Sequence, residues 1–280
     1  MTYNDIWHRL ASVYDVGEAK AVARMLLEER FGMSFADIIC GGVEALSAAD
    51  SQWLEEAVAR LESSEPVQYV LGWAWFCGNR FDVGKGVLIP RPETEWLVER
   101  AVELANKRNK GDMRILDIGT GSGCIAVSMK KALPEAYVEA WDISADALAI
   151  AAANARGLGV DVAFKLRDAL DVSNTTSDSW DIIVSNPPYI REAERADMAV
   201  NVVDYEPESA LFVPDDDPLL FYSAIAHYAH GSLRRGGKLL FECNTRFATA
   251  TADMMRSCGF YDVRVAADCF GKPRFAEGNN

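Results

Sequence analysis

The 280-residue chain lacks several features that would name a class at once. No apolar run reaches the roughly 18 residues that a bilayer-spanning helix needs, so no membrane partner is expected. No basic leader with an apolar core follows Met1, so no signal peptide is expected. Six cysteines, Cys40, Cys77, Cys124, Cys243, Cys258 and Cys269, form no C-x-x-C pair. They read as reduced thiols in a cytoplasmic protein. Histidine is scarce. His227 and His230 stand three apart on an expected helix without a third ligand nearby, so no metal site is assigned. There is no internal repeat and no low-complexity tract. Basic charge is also short: 28 Lys and Arg face 42 Asp and Glu, a net charge of −14. Such a surface repels bare phosphate backbone, and no direct nucleic-acid binding is expected.

The acidic excess is uneven. Residues 1–75 carry 12 acids against 5 bases, and residues 191–217 carry 9 against 2. The remainder is balanced.

Three stretches follow from composition and periodicity. Residues 1–65 read as a small helical bundle. Glu18 to Phe31 is rich in helix formers and stops at Gly32, a suitable C-terminal cap. Ser34 with Asp37, and Ser47 with Asp50, have the spacing of helix-start caps. Trp53, Leu54, Ala57, Val58 and Leu61 fall on one helical face. Residues 66–90 turn aromatic and β-prone, from Tyr69 to Phe76 and from Arg80 to Val83, with glycines between. They read as a β-hairpin linker. Residues 91–280 alternate strands and helices. Strands are expected at 114–118, 136–142, 160–166, 181–185 and 237–242, with helices at 145–156 and 219–233. Two further β-prone runs, 261–266 and 274–276, are placed to close the sheet with one antiparallel strand. The order implies an α/β fold with a mostly parallel sheet covered on both faces.

Two motifs carry chemistry. Asp117-Ile118-Gly119-Thr120-Gly121-Ser122-Gly123 lies between a strand and a helix, where glycines permit a sharp turn and close approach of a ligand. A dinucleotide fold favours G-x-G-x-x-G, whereas the spacing here is G-x-G-x-G. Asn186-Pro187-Pro188-Tyr189 directly follows the fourth strand, at the sheet end where ligands bind. Its prolines remove N–H donors. The Asn186 oxygen and the Pro187 carbonyl remain as acceptors suited to an NH₂ group on a planar π-system. Holding both hydrogens aims the nitrogen lone pair and stabilises charge developing on nitrogen. Pro188 and Tyr189 are placed to sandwich the planar group.

The glycine turn resembles the first motif of class I S-adenosylmethionine-dependent methyltransferases, with a Rossmann-like, mostly parallel seven-stranded sheet. The resemblance implies S-adenosyl-L-methionine as cofactor, held by Gly119, Thr120, Gly121, Ser122 and Gly123. It implies Asp142 on the ribose, Asp168 at the adenine, Ala169 as a further cofactor contact, and Asn186 bordering both cofactor and substrate. The Asn-Pro-Pro-Tyr loop resembles that of amino-methyltransferases, whose substrates include DNA adenine, ribosomal RNA guanine and protein glutamine. Three flanking strings narrow the choice: Pro66 to Gly72, Val87-Leu88-Ile89-Pro90-Arg91-Pro92-Glu93-Thr94-Glu95, and Tyr205 to Leu211. In this order, from about residue 64 to the end, they resemble the release-factor glutamine methyltransferases. That family implies methylation of the glutamine of the Gly-Gly-Gln loop of peptide chain release factors. Asn186, Pro187, Pro188 and Tyr189 would be the catalytic loop, and the helical start a substrate-docking domain. The chain departs from the family pattern at Glu242 to Phe247, at Val213 to Pro218 and at Lys272 to Arg274.

Overall fold

A computed structural model describes residues 1–107, 113–171 and 179–280. Internal packing divides them into two units, Met1–Ala74 with Ala199–Tyr205, and Trp75–Met198 with Glu206–Asn280.

The first unit is helical: α1 (Tyr3–Leu10), α2 (Val16–Phe31), α3 (Phe35–Ile39), α4 (Ala48–Glu62) and α5 (Val67–Leu71). Its first four helices start where the sequence supplies side-chain caps. Asp15 accepts the N–H groups of Gly17 and Glu18 at 2.8 and 3.0 Å. Ser34 and Asp37 form a reciprocal capping box. In α2, Ala19, Ala23, Leu26 and Leu27 repeat every three or four residues and are all buried, so one stripe of the helix faces the core. Leu54, Ala57, Val58 and Leu61 do the same in α4, while Trp53 lies at the margin of that core. Tyr205 donates its hydroxyl to the Ser63 carbonyl at 2.6 Å and secures the 199–205 segment to this unit.

The expected linker differs from the structure at its start. Val67–Leu71 is a helix, not a strand. Val67 and Val70 join the helical core, and Gly72 ends the turn in the left-handed region at φ 85°. Arg60 donates to the carbonyls of Tyr69 and Val70 at 3.2 and 3.4 Å, which satisfies backbone acceptors at the helix end. Burial and capping outweigh the β propensity of Tyr69 and Val70. The hairpin is confined to β1 (Trp73–Phe76) and β2 (Asn79–Asp82). Its two-residue turn, Cys77-Gly78, has both φ angles positive, at 47° and 67°, the geometry that suits strand twist.

The second unit continues with α6 (Glu95–Lys107), β3 (Arg114–Ile118), α7 (Cys124–Ala132), β4 (Tyr137–Asp142), α8 (Ala145–Gly157), β5 (Ala163–Leu166) and β6 (Trp180–Ser185). The chain then passes β7 (Ile190–Arg191), α9 (Val200–Val203) of the first unit, α10 (Glu208–Leu211) and β8 (Phe212–Val213). It ends with α11 (Leu220–Ser232), β9 (Leu233–Glu242), α12 (Ala248–Ser257), β10 (Tyr261–Ala267) and β11 (Pro273–Asn279). The seven-stranded sheet has the order β10-β11-β9-β6-β3-β4-β5. Only β11 runs against its neighbours. β5 is shorter than the expected 160–166 strand. β9 starts earlier than expected, with a register break before Lys238.

Alternation along the strands builds both faces of this sheet. Ile115, Ile182, Val184 and Leu240 enter the core formed with α6 and α7. Their neighbours Leu116, Ile183, Leu239 and Phe241 enter the opposite core, with α11 and α12. Side chains two apart share a face, so an apolar run sandwiched between helices fills both layers. Strand order reverses at β3. The chain moves from β3 to β4 and β5, then returns to β6 on the other side. The ends of β3 and β6 therefore form the switch point where ligands bind in open α/β sheets. Ser185 donates to the Ile118 carbonyl at 2.7 Å and holds the two strand ends together.

Candidate active site

A cleft of about 240 Å³ opens at this switch point. One water needs only some 10–15 Å³ measured this way, so the space suits an organic ligand. Ile118, Gly119, Gly121, Asp142, Asp168 and Ala169 line the cleft. Asn186, Pro187 and Pro188 border it from the end of β6.

The glycine turn divides its labour. Gly119, Gly121 and Gly123 all have left-handed φ angles, at 76°, 54° and 81°. A Cβ on Gly119 or Gly121 would meet nothing within 4 Å, so these two present bare backbone to the cleft. A Cβ on Gly123 would lie 2.9 Å from the Ala151 Cβ of α8. This glycine permits helix packing behind the turn. Thr120 and Ser122 are buried there too and do not line the cleft. Thr120 donates to Asp117 Oδ2 at 2.6 Å, and the N–H groups of Gly119 and Thr120 both donate to the Trp141 carbonyl at 2.9 Å. Asp117 is fully buried, and burial pushes its carboxyl up to about 7.

Asp142, at the end of β4, accepts the Gly121 N–H at 2.8 Å and the Ser144 N–H at 2.9 Å, one on each carboxylate oxygen. Each oxygen keeps a lone pair for a further donor. Asp168 accepts the Leu170 N–H at 2.8 Å and faces the same cleft. Sequence reasoning missed Asn154. Its amide donates to the Ser122 carbonyl at 2.9 Å and the Asp82 carbonyl at 3.0 Å, and its oxygen accepts the Asp82 N–H at 2.7 Å. It joins the glycine turn to the end of β2.

The Asn-Pro-Pro-Tyr loop also divides. Asn186, Pro187 and Pro188 line the cleft, but Tyr189 does not. Its ring packs against the α11 and α12 core, and its hydroxyl donates to Glu242 Oε1 at 3.2 Å. The expected sandwich of a planar group by Pro188 and Tyr189 is therefore not formed here. Burial, reinforced by the Glu242 charge, raises the tyrosine further above its ordinary range. Thr94, from the string before α6, donates to Glu242 Oε2 at 2.6 Å and accepts Asn186 Nδ2–H at 3.3 Å. Thr94 and Glu242 are 3% and 1% exposed.

The 87–95 and 205–211 strings meet at Glu206. Its carboxylate accepts the Ile89 N–H at 3.0 Å and the Arg91 guanidinium at 2.5 Å. Val87 and Leu88 line the cleft on one side of this junction, Pro207 and Ala210 on the other. Among the described residues, no three His, Cys, Asp or Glu side chains converge as a metal site.

Two family models match the chain: the PrmC N-terminal domain over residues 4–72 and the Methyltransferase small domain over residues 74–205. A release factor glutamine methyltransferase of Bacteroides thetaiotaomicron is 47% identical over 270 residues, 96% of each chain. One from Flavobacterium psychrophilum is 37% identical over 96% of this chain and 95% of its own. Among solved structures, a methyltransferase from Pyrococcus furiosus shares the fold at a TM-score of 0.51 and 15% identity, over 79% of this chain and 96% of that one. The seven-stranded sheet is that of the class I S-adenosylmethionine-dependent methyltransferases. Its glycine turn, its Asn-Pro-Pro loop and the near full-length identity to curated relatives agree, and the chain belongs to the release factor glutamine methyltransferase family.

Proposed function

We propose that this enzyme transfers a methyl group from S-adenosyl-L-methionine to the side-chain amide nitrogen of the glutamine in the Gly-Gly-Gln motif of peptide chain release factors. The observation that carries the reading is one cleft that joins bare glycine backbone, two carboxylates and the acceptor pair of Asn186 and Pro187. The cofactor fits these residues. The open backbone at Gly119 and Gly121 accommodates close approach of its amino-acid end. The free lone pairs of Asp142 match two ribose hydroxyls. Asp168 offers an acceptor for the adenine amino group, beside the apolar surfaces of Ala169 and Ile143. Thr120, Ser122 and Gly123 support the turn rather than the ligand.

When bound, the cofactor supplies an activated methyl group. The residues of the chain supply orientation and charge stabilisation. An amide nitrogen is a poor nucleophile because its lone pair is delocalised into the carbonyl. The Asn186 oxygen and the Pro187 carbonyl accept its two hydrogens. This aims the lone pair at the methyl group and stabilises the positive charge that builds on nitrogen. The methylated nitrogen then sheds one proton, which is acidic enough to leave without a strong base.

The helical unit reads as the docking domain for the release factor. The acidic excess in residues 1–75 and 191–217 suits a basic protein face. All six cysteines are unpaired, in keeping with a cytoplasmic enzyme. Incubation with labelled cofactor and a release factor, with duplex DNA and ribosomal RNA in parallel, tests the reading. Label in the Gly-Gly-Gln peptide is expected. Label in nucleic acid alone would overturn it in favour of a base amino-methyltransferase.

A further inference from the structure

Glu242 lies at the end of β9, and Thr94 lies 148 residues earlier, in the turn before α6. Their hydroxyl–carboxylate bond sits directly behind Asn186. The donors and acceptors here permit one sense of direction. Glu242 takes a donor on each oxygen, the Thr94 hydroxyl at 2.6 Å and the Tyr189 hydroxyl at 3.2 Å. Burial raises the Glu242 carboxyl above its ordinary value, while the Thr94 and Tyr189 hydroxyls and nearby Arg274 favour its charged form, and in that form it can only accept. The single Thr94 proton is thereby committed to Glu242, and Thr94 Oγ1 faces Asn186 as an acceptor. Only the NH₂ end of the Asn186 amide satisfies it, at 3.3 Å. The carboxamide oxygen is then the end left to accept from a ligand in the cleft.

We propose that Thr94 is a positioning residue: with its proton held by Glu242, its oxygen fixes the Asn186 carboxamide oxygen-first toward the substrate amide. The proposal rests on the reading of Asn186 as the acceptor for the glutamine amide and adds the device that orients it. Without that device, the two ends of the Asn186 amide are nearly equal in shape. A flipped amide would present N–H to N–H and repel the substrate. Thr94 makes no claim on substrate or cofactor itself, and it is absent from the cleft lining.

The test is Thr94→Val, which keeps the shape and removes the hydroxyl, beside Thr94→Ser, which restores it. Thr94→Val should lower kcat by about tenfold or more, since small misplacements at a reacting centre carry such costs. The Kd for S-adenosylmethionine should stay within about twofold, and Thr94→Ser should recover most of the kcat. In an Asn186→Ala background Thr94→Val should cost nothing further, because a residue acting through Asn186 loses its lever with it. A wild-type kcat in Thr94→Val, or an equal loss in both backgrounds, overturns the proposal. A second readout needs no substrate. The side-chain amide proton resonances of Asn186, identified as the pair lost in Asn186→Ala, should shift in Thr94→Val and stay near their wild-type positions in Thr94→Ser. Unmoved resonances in Thr94→Val overturn the relay even where methylation of the release factor holds. A shift in an enzyme that labels no release factor supports the relay and overturns only the substrate.

Discussion

The Arg91 guanidinium donates to the buried Glu206 carboxylate at 2.5 Å, across 115 residues of sequence. Glu206 also holds the Ile89 N–H, so one carboxylate ties down the 87–91 string beside the cleft. The pair is asymmetric: the Arg91 side chain is 34% exposed and that of Glu206 1%. Removing the arginine therefore strands a buried charge, whereas removing the acid releases a cation that reaches water. Arg91→Ala should cost on the order of 3 kcal/mol of stability, as expected for breaking a buried pair. Glu206→Gln, which keeps an acceptor for Ile89 and creates no stranded charge, should cost less. Urea unfolding of the two variants checks the order. An Arg91→Ala loss smaller than that of Glu206→Gln refutes this account of the junction.

Gly121 and Gly123 stand two residues apart, and alanine should affect them differently. At Gly121 the added Cβ meets open cleft, and the backbone cost of a left-handed alanine is about 1–2 kcal/mol. Cofactor affinity should fall more than stability does. At Gly123 the same backbone cost is joined by a 2.9 Å clash with Ala151, and overpacking of that kind adds roughly 1–3 kcal/mol. Gly123→Ala should be the less stable protein. Thermal unfolding and calorimetric titration with S-adenosylmethionine separate the two roles, and equal melting temperatures would remove the distinction.

Asn186 and Asp142 line one cleft, and the proposed reaction gives them different steps. On that proposal Asn186→Ala removes an acceptor for the developing charge on nitrogen. It should lower kcat by on the order of 10²-fold, with little change in cofactor Kd. Asp142→Ala removes the proposed ribose acceptor and also frees the Gly121 and Ser144 N–H groups. It should weaken cofactor binding first. Single-turnover rates at saturating cofactor isolate the chemical step, and an unchanged rate in Asn186→Ala would refute its role.

Asp117 gives the fold a pH dependence of known sign. Burial lifts its carboxyl from 3.8 to about 7 in the folded protein. Between those values the folded state keeps a proton that the unfolded chain has released. Its contribution is fully present below about pH 4 and declines as pH rises toward 7. Asp117→Asn stays neutral throughout and can still accept from Thr120. The unfolding free energy of Asp117→Asn relative to wild type should therefore rise from pH 4.5 to 7.5, by on the order of a few kcal/mol, read from urea unfolding at each pH. The difference between the two curves cancels other titrating groups such as Glu242. A flat difference would mean that the carboxyl titrates normally.

The parts legible in sequence are those whose chemistry is local. Gly119 and Gly121 need positive φ within one turn, and Asn186 to Pro188 form one loop at one strand end. Ile115 and Leu116 announce a strand buried on both faces without help from elsewhere. Asn154, Thr94 and Glu242 are ordinary residue types whose partners lie 72, 92 and 148 residues away. Their roles exist only after the sheet brings them together. Tyr69 to Leu71 misleads for a related reason. Its β propensity is real, but Arg60 and the helical core decide its conformation. Tyr189 completes a sequence motif, yet its hydroxyl turns away from the cleft because Glu242 lies behind it.

The acidic segment after the Asn-Pro-Pro-Tyr loop supports a prediction about encounter rather than chemistry. Asp215, Asp216 and Asp217 are all exposed, but they are not equivalent. Asp215 accepts the Ala193 N–H at 2.9 Å and so helps hold the loop. Neutralising it would mix a structural effect with an electrostatic one. Asp216→Asn with Asp217→Asn removes two charges without touching that bond. If the segment steers a basic face of the release factor, the double variant should associate more slowly at low salt. The deficit should shrink above about 0.15 M salt, where the Debye length falls to about 8 Å. Dissociation and kcat should be nearly unchanged, because rim charges act on the approach rather than on the docked complex. Stopped-flow association with a release factor, across a salt series, distinguishes the outcomes. A wild-type on-rate at low salt would leave these aspartates as solvated surface and move the steering role to the acidic helical unit.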